Sequence, residues 1–200
     1  MTIELEEHKP EWEEQFENLK AELIDIIGFT NPRVEHIGST AVKGLLAKPI
    51  IDILIGLEST SLLDEVVKPL IDHGYIYYPI YNNLMPYRRF FVKHRSKVHH
   101  LNLPKTINDE KDIPNTTEEH NLRLAHIHVL KYNSDHWVRH IAFRNYLREH
   151  PNVQREYRRL KEALRTNEWS DGNDYNKAKD TFVKTEEKKA IDWYTKTTER

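Results

Sequence analysis

Residues 35–55 read Glu-His-Ile-Gly-Ser-Thr-Ala-Val-Lys-Gly-Leu-Leu-Ala-Lys-Pro-Ile-Ile-Asp-Ile-Leu-Ile. No other stretch constrains the chain as much. An apolar approach ends in a Gly-Ser turn, a basic loop follows, and a second apolar run carries one carboxylate, Asp52. Ile50, Ile51, Ile53, Leu54 and Ile55 leave that run without a polar face, so it reads as a strand covered on both sides inside a sheet. A carboxylate within such a run is costly to bury unpaired. Asp52 therefore needs a metal, a cation or hydrogen-bond donors, and it is the leading candidate for a functional site.

The turn before it narrows the chemistry. Gly38 has no Cβ and lets the backbone come close to a phosphate. The hydroxyls of Ser39 and Thr40, with the local N–H groups, suit phosphate oxygens, and Asp52 suits Mg²⁺ or Mn²⁺. Nucleotidyltransferases of the polymerase β type are organised similarly, with a strand ending in Gly-Ser and acidic residues at alternate positions of the next strand, where they share a face. Here Leu54 occupies the second acidic position and Ile50 the one before Asp52. A two-metal mechanism needs several carboxylates. Either another residue completes the site, or the site binds a ligand without transfer chemistry.

The bulk properties exclude other classes. Two hundred residues, 38% hydrophobic and 31% charged, suit one domain or a core with a helical appendage. A formal net charge of −2, with lysines and arginines dispersed, gives no footprint for duplex nucleic acid. The absence of cysteine excludes disulfides, thiolate zinc sites and cysteine nucleophiles. No apolar run approaches the ~18 residues of a membrane span, and the acidic N-terminus lacks a signal-peptide pattern. The expectation is a cytoplasmic chain without a membrane partner.

Apolar spacing at Trp12, Phe16, Leu19, Leu23 and Ile26 predicts a helix from Pro10 to Ile27, stopped by Gly28. Strands are expected at 33–38 and 49–57, then a helix from Ser61 through Asp72 ended by Gly74. Further strands are expected at 75–80, 87–94, Val98–Leu103 and Leu124–Leu130. The polar segment 104–121 reads as a surface loop and the chain's most disordered part. From Ser134, a helix cap, the chain is helical; Pro151 starts a second helix, and a turn at Asp171–Asp174 precedes the last. The fold class is α+β: a mixed β-sheet core with flanking helices over 1–132, and a C-terminal helical segment over 133–200 packed on it.

A series of motifs runs through nearly the whole chain: Trp12 and Phe16, then Glu35–Val42 with Ala47–Asp52, then Arg89-Phe90-Phe91. After these come His126-Ile127-His128-Val129, Phe143–Arg148 with His150-Pro151, and Tyr175, Lys179 and Phe182. In this order they resemble the GrpB family, which is placed by fold in the nucleotidyltransferase superfamily. Two features depart from the family pattern: Lys43 stands where proline is usual, and the 104–121 segment is longer. Some family members look fused to dephospho-coenzyme A kinase, which implies nucleotide or cofactor metabolism. In related nucleotidyltransferases a late strand supplies a third carboxylate; the resemblance implies that His126 or His128 takes that place, and imidazole suits Zn²⁺ or Mn²⁺ better than Mg²⁺.

The candidates divide by role. Asp52 and Glu35 are the catalytic pair, although Glu35 reads equally as a structural carboxylate paired with Lys48 or an arginine. Asp52, His126 and His128 are the metal candidates. Gly38, Ser39, Thr40, Lys48, Arg89, Arg144 and Lys179 are the nucleotide-binding set, with the arginines suited to bidentate phosphate contact. His136, His140 and Arg144 share one helix ridge, which reads as a solvated face. Two functions follow. One is metal-dependent transfer of a nucleotidyl group from an NTP to an acceptor. The other is a non-catalytic module for a nucleotide or phosphorylated small molecule, which Leu54 supports.

Overall fold

The computed structural model describes residues 4–95, 99–114, 116–169 and 172–198. Helix α1 (Glu11–Ile27) buries Trp12, Phe16, Leu19, Leu23 and Ile27, so the stripe ends on Ile27, with Ile26 half-buried. The α-helix ends at Gly28, its C-cap, as expected, although the glycine keeps right-handed angles. The chain continues through a 3₁₀ turn, Gly28–Thr30, and Asn31 ends it in a left-handed conformation at φ 48°.

Five strands form one sheet: β1 (Arg33–Ile37), β2 (Ile51–Leu57), β3 (Tyr75–Tyr77), β4 (Arg88–His94) and β5 (Arg123–Lys131). Their order is β1-β2-β5-β4-β3, with β2 and β5 parallel and the other pairs antiparallel. Between β2 and β3 lie two short helices, α2 (Leu62–Glu65) and α3 (Val67–Asp72). They replace the single helix expected from Ser61, which takes helical angles itself and makes no side-chain cap. Gly74 ends the pair with φ +81°.

Alternation along β2 explains why both of its faces are apolar. Ile51, Ile53, Ile55 and Leu57 join a core with α1, α2 and α3 through Trp12, Phe16, Leu63 and Leu70. Leu54 faces the other way, into a cluster with Ile37, Leu130, Trp137 and Ile141. Trp137 and Ile141 belong to α5 (Asp135–Glu149), capped by Ser134, whose hydroxyl accepts from the Trp137 N–H. Gly56 shares this face, and a Cβ there would lie 2.7 Å from the Trp137 ring. The indole thus sits directly on the strand. Helices α6 (Pro151–Arg165) and α7 (Gly172–Thr198) complete this layer. Asp171, in the expected turn before α7, lies outside the described residues, as does Val98.

The structure corrects one expectation between β4 and β5 and refines another. His99–Leu101 is a 3₁₀ turn, not a strand. The 104–121 segment runs mostly over the surface, as expected, but is pinned to the core at two points. Ile107 is fully buried with Ile76, Tyr78 and Val92, and its N–H donates to the Tyr77 carbonyl at 2.8 Å. Helix α4 (Thr117–Asn121) is capped by Thr116 and carries a buried carboxylate, Glu119. That carboxylate accepts from His94 at 2.6 Å and from Nε and Nη2 of Arg123 at 2.9 Å each. Polar composition matches the exposed residues of the segment but does not reveal its two anchors, one isoleucine and one fully paired carboxylate. Among the described residues no helix is long and apolar enough to cross a membrane.

Ile107→Ala is expected to destabilise the fold by about 2–5 kcal/mol, the range for emptying a buried aliphatic site. The urea midpoint measures it, and a loop merely lying on the surface would show almost no change.

Candidate functional site

The site begins where β1 leaves the sheet. Gly38 follows with φ +70°, and a Cβ on it would lie 2.3 Å from Asp52 Oδ2. The sequence assigned Gly38 a close approach to phosphate. The structure places the Asp52 carboxylate in that space, so the glycine is demanded by both the turn and the acid. Ser39 then opens a 3₁₀ turn, Ser39–Ala41. Thr40 is buried, its hydroxyl 3.0 Å from His36 Nε2.

Register places the histidines. Asp52 pairs with His126 across β2 and β5, and Leu54 with His128. His126 Nδ1 lies 3.3 Å from Asp52 Oδ1. Arg88 Nη1 lies 3.3 Å from His128 Nδ1. Burial, reinforced by the Arg88 charge, holds His128 well below the usual imidazole range. It stands neutral beside the guanidinium.

Above Asp52 opens a cleft of about 470 Å³. Of the sequence candidates it gathers Ser39, Thr40, Lys48, Asp52, His126, His128 and Lys179. It also contains Lys161, Arg88 and His120, which the sequence reading passed over. Tyr78, Tyr81 and Phe90 form an aromatic wall.

Three amines from distant parts of the chain converge on the one aspartate. Lys161, on α6, is 2% exposed; its Nζ hydrogen-bonds Ser39 Oγ and donates to the Leu46 carbonyl at 2.8 Å. Lys48 and Lys179 lie over the Tyr175 ring, 4.9 and 4.0 Å from its centroid. Burial pulls Lys48 down to about 8 and Lys179 to about 7, and Lys161 well below its ordinary range. Asp52 opposes the shift in all three, while mutual repulsion deepens it for Lys161 and Lys179. Several polar atoms of the same wall are buried without a hydrogen-bond partner: His120 Nε2, His126 Nε2, Arg88 Nε, and the hydroxyls of Tyr78 and Tyr175. Unsatisfied buried groups are rare in folded proteins, and here they line one cleft.

Other candidates fall elsewhere. Arg89 points to the opposite face, as strand alternation requires of a neighbour of Arg88, and donates to Asp64 Oδ1 at 2.6 Å. It is not a clamp in this cleft. Arg144 bonds Glu35 Oε2 at 2.7 Å and the His36 carbonyl at 2.9 Å, which gives Glu35 the structural pairing rather than a place beside Asp52. Arg144, Gly38, Asp52 and His140 line a smaller adjoining cavity of about 190 Å³. His140 is therefore not on a solvated face; burial drops its pKa to about 3.

The donors around Asp52 do not by themselves fit a divalent ion. Among the described residues no three His, Asp or Glu side chains gather for one. Asp52 is a lone carboxylate crowded by amines, and His128 Nδ1 faces a guanidinium.

Lys161 had one readable signal. It lies four residues after Tyr157, on the buried ridge of α6, where a charge is out of place. Arg88 was recoverable from parity with Phe90 and His128.

The lysines also set a pH dependence. A lysine whose folded pKa is depressed binds fewer protons folded than unfolded, so stability rises with pH between the folded and unfolded values. From Lys48 and Lys179 that window runs from about 7 to 10.5. The melting temperature in anion-free buffer is expected to climb from pH 7 to 9.5, and to climb less in Lys179→Met. A flat or falling wild-type profile would contradict the buried-amine geometry.

Comparison with known proteins gives a consistent picture. Residues 2–189 match the family model described as GrpB protein. A glutamate-rich protein GrpB of Alkalihalophilus pseudofirmus is 34% identical over 177 residues, 88% of each chain. A dephospho-CoA kinase of Mycobacterium bovis is 42% identical over 69 residues, 33% of this chain and 17% of the kinase. The crystal structure of conserved protein GrpB from Enterococcus faecalis is 31% identical, with a TM-score of 0.73 over 96% of this chain and 99% of that one. Its likeness agrees with the α+β class read from the sequence.

Proposed function

The chain belongs to the GrpB family, and on that footing we propose that its cleft holds a phosphorylated small molecule, a nucleotide above all. The excess of basic side chains carries this reading. Lys48, Lys161, Lys179 and Arg88 surround one carboxylate, Asp52, while the second acid, Glu119, is already bound to Arg123 and His94. An anion placed among them restores the protons of Lys48 and Lys179 and offsets their repulsion. The unsatisfied polar atoms supply further contacts, and the volume lies within the roughly 300–1,000 Å³ of small-molecule sites. The half-buried rings of Tyr81 and Phe90 offer faces to a base.

Nucleotidyl transfer is the second reading, favoured by the Gly38–Ser39 turn packed onto Asp52. An NTP would lay its phosphates along Ser39, Lys48 and Lys179, an acceptor oxygen would attack the α-phosphorus, and pyrophosphate would leave. The nucleotidyltransferase superfamily placement and a role for Mg²⁺ or Mn²⁺ belong to this reading, with the ligand's own phosphates supplying the oxygens that the protein lacks. The partial likeness to dephospho-CoA kinase puts dephospho-CoA among the first compounds to try.

The test is thermal stability against inorganic phosphate, NTPs and dephospho-CoA, each with and without Mg²⁺ or Mn²⁺. Binding raises the melting temperature by mass action. Lys179→Met is expected to weaken binding on the order of 10–100-fold, the loss of one charge-assisted contact, while Arg89→Ala leaves it intact. If no phosphorylated compound shifts the wild type, the cleft reading is wrong. Pyrophosphate release, abolished in Asp52→Asn, distinguishes transfer from binding alone.

A further inference from the structure

Lys161 is placed differently from the other two amines. It is almost wholly buried, one N–H is committed to the Leu46 carbonyl, and Nζ rests against the hydroxyl of Ser39. Ser39 follows Gly38 in its left-handed turn, is half-buried, and lines both the large cleft and the smaller cavity. The Tyr157 ring lies 4.4 Å from Lys161 Nζ. A cleft-facing hydroxyl held against a buried amine, on a turn that exposes it, is the geometry of an activated nucleophile.

We propose that Ser39 is a nucleophile with Lys161 as its general base, and that the cleft moves a phosphoryl group through a phosphoserine. This rests on the reading of the cleft as a phosphate site. Ser39 Oγ attacks the phosphorus of a phosphoester or phosphoanhydride. The Oγ–P bond forms, the bond from phosphorus to the leaving oxygen breaks, and the hydroxyl proton passes to Lys161 Nζ and on to that oxygen. Water then attacks the phosphoserine, again giving a proton to Lys161. Ser39 takes that proton back as inorganic phosphate leaves. Lys48 and Lys179 face the charge that gathers on the transferring group, and such preorganised cations stabilise it.

The state of the amine agrees with this role. Burial, with Lys179 and Lys48 nearby, lowers the proton affinity of Lys161 against the pull of Asp52, which favours the free-amine form that a base needs. Burial also keeps the Tyr157 hydroxyl protonated. A phosphate drawn in beside Lys161 raises its proton affinity at the moment it must accept one.

The experiment treats the full chain with diisopropyl fluorophosphate, a phosphorus electrophile, and locates the adduct by peptide mass spectrometry; 4-nitrophenyl phosphate provides a turnover readout. The adduct is expected on Ser39 and absent in Ser39→Ala. Its rate should fall roughly 100-fold or more, the usual scale of general-base catalysis, in both Lys161→Met and Lys161→Arg. Arginine keeps the charge but cannot take the proton, so a purely anion-binding lysine would be rescued by it and a base would not. In the wild type, the labelling rate should drop as pH falls and the amine protonates, a readout independent of any variant's folding. An unlabelled Ser39 in a chain whose melting temperature responds to phosphate overturns the nucleophile and leaves the binding site standing. Equal labelling in Lys161→Arg, or a pH-independent rate, overturns the base. A chain that neither responds to phosphate nor labels loses both.

Discussion

The placement of one carboxylate on β2 is the constraint on which the rest of the site depends. β2 must satisfy a core on each face, and alternation gives its second face only Asp52, Leu54 and Gly56. Leu54 and Gly56 are covered by Trp137 and Ile141 of α5. Asp52 is left at the start of the strand, beyond that cover, against Gly38. Because β5 runs parallel to β2, its own first turns arrive at the same end and bring His126 beside Asp52 and His128 beside Leu54. The sheet is therefore sealed at one end of this face and open at the other. The opening is the cleft.

What closes the cleft comes from chain far away in sequence. α6 and α7 carry Lys161 and Lys179 over the acid, and the segment between β4 and β5 supplies His120 and Glu119, the latter paired with Arg123 at the start of β5. Burying amines together opposes folding, since desolvation and repulsion both disfavour their charged forms. Structures that hold such groups at a cleft generally hold them for a ligand. Glu119 shows the opposite solution within the same wall: burial pushes its carboxyl up, yet hydrogen bonds from His94 and Arg123 outweigh that and hold it below its usual range. One acid is fully satisfied and structural, while the other faces amines that no carboxylate holds.

Leu54 is the residue that separates this site from a nucleotidyltransferase with paired acids. Its side chain is fully buried under α5. A carboxylate there would lie beneath Trp137 rather than in the cleft, so an apolar residue at 54 and the seating of α5 on the sheet are one structural fact. Glu35, across the strand pair from Leu54, does not replace it, because Arg144 holds it.

Much of this was legible in sequence because it is local. The unbroken aliphatic run announced β2 as interior, the charge within it singled out Asp52, and the period of two put His126 and His128 on one face. The apolar stripe gave α1, and Ser134 and Pro151 marked the starts of α5 and α6. What tertiary structure alone decided involves partners far apart: Ser39 with Lys161, Glu35 with Arg144, Glu119 with His94. Periodicity reports which side of an element is covered, not what covers it. Lys161 and Arg144 look alike as helix cations, and only the packing of α5, α6 and α7 against the Gly38–Ser39 turn sends one to a hydroxyl and the other to a carboxylate. The sequence determined where the acid had to be, and the docking of the helices determined that amines, rather than further carboxylates, surround it.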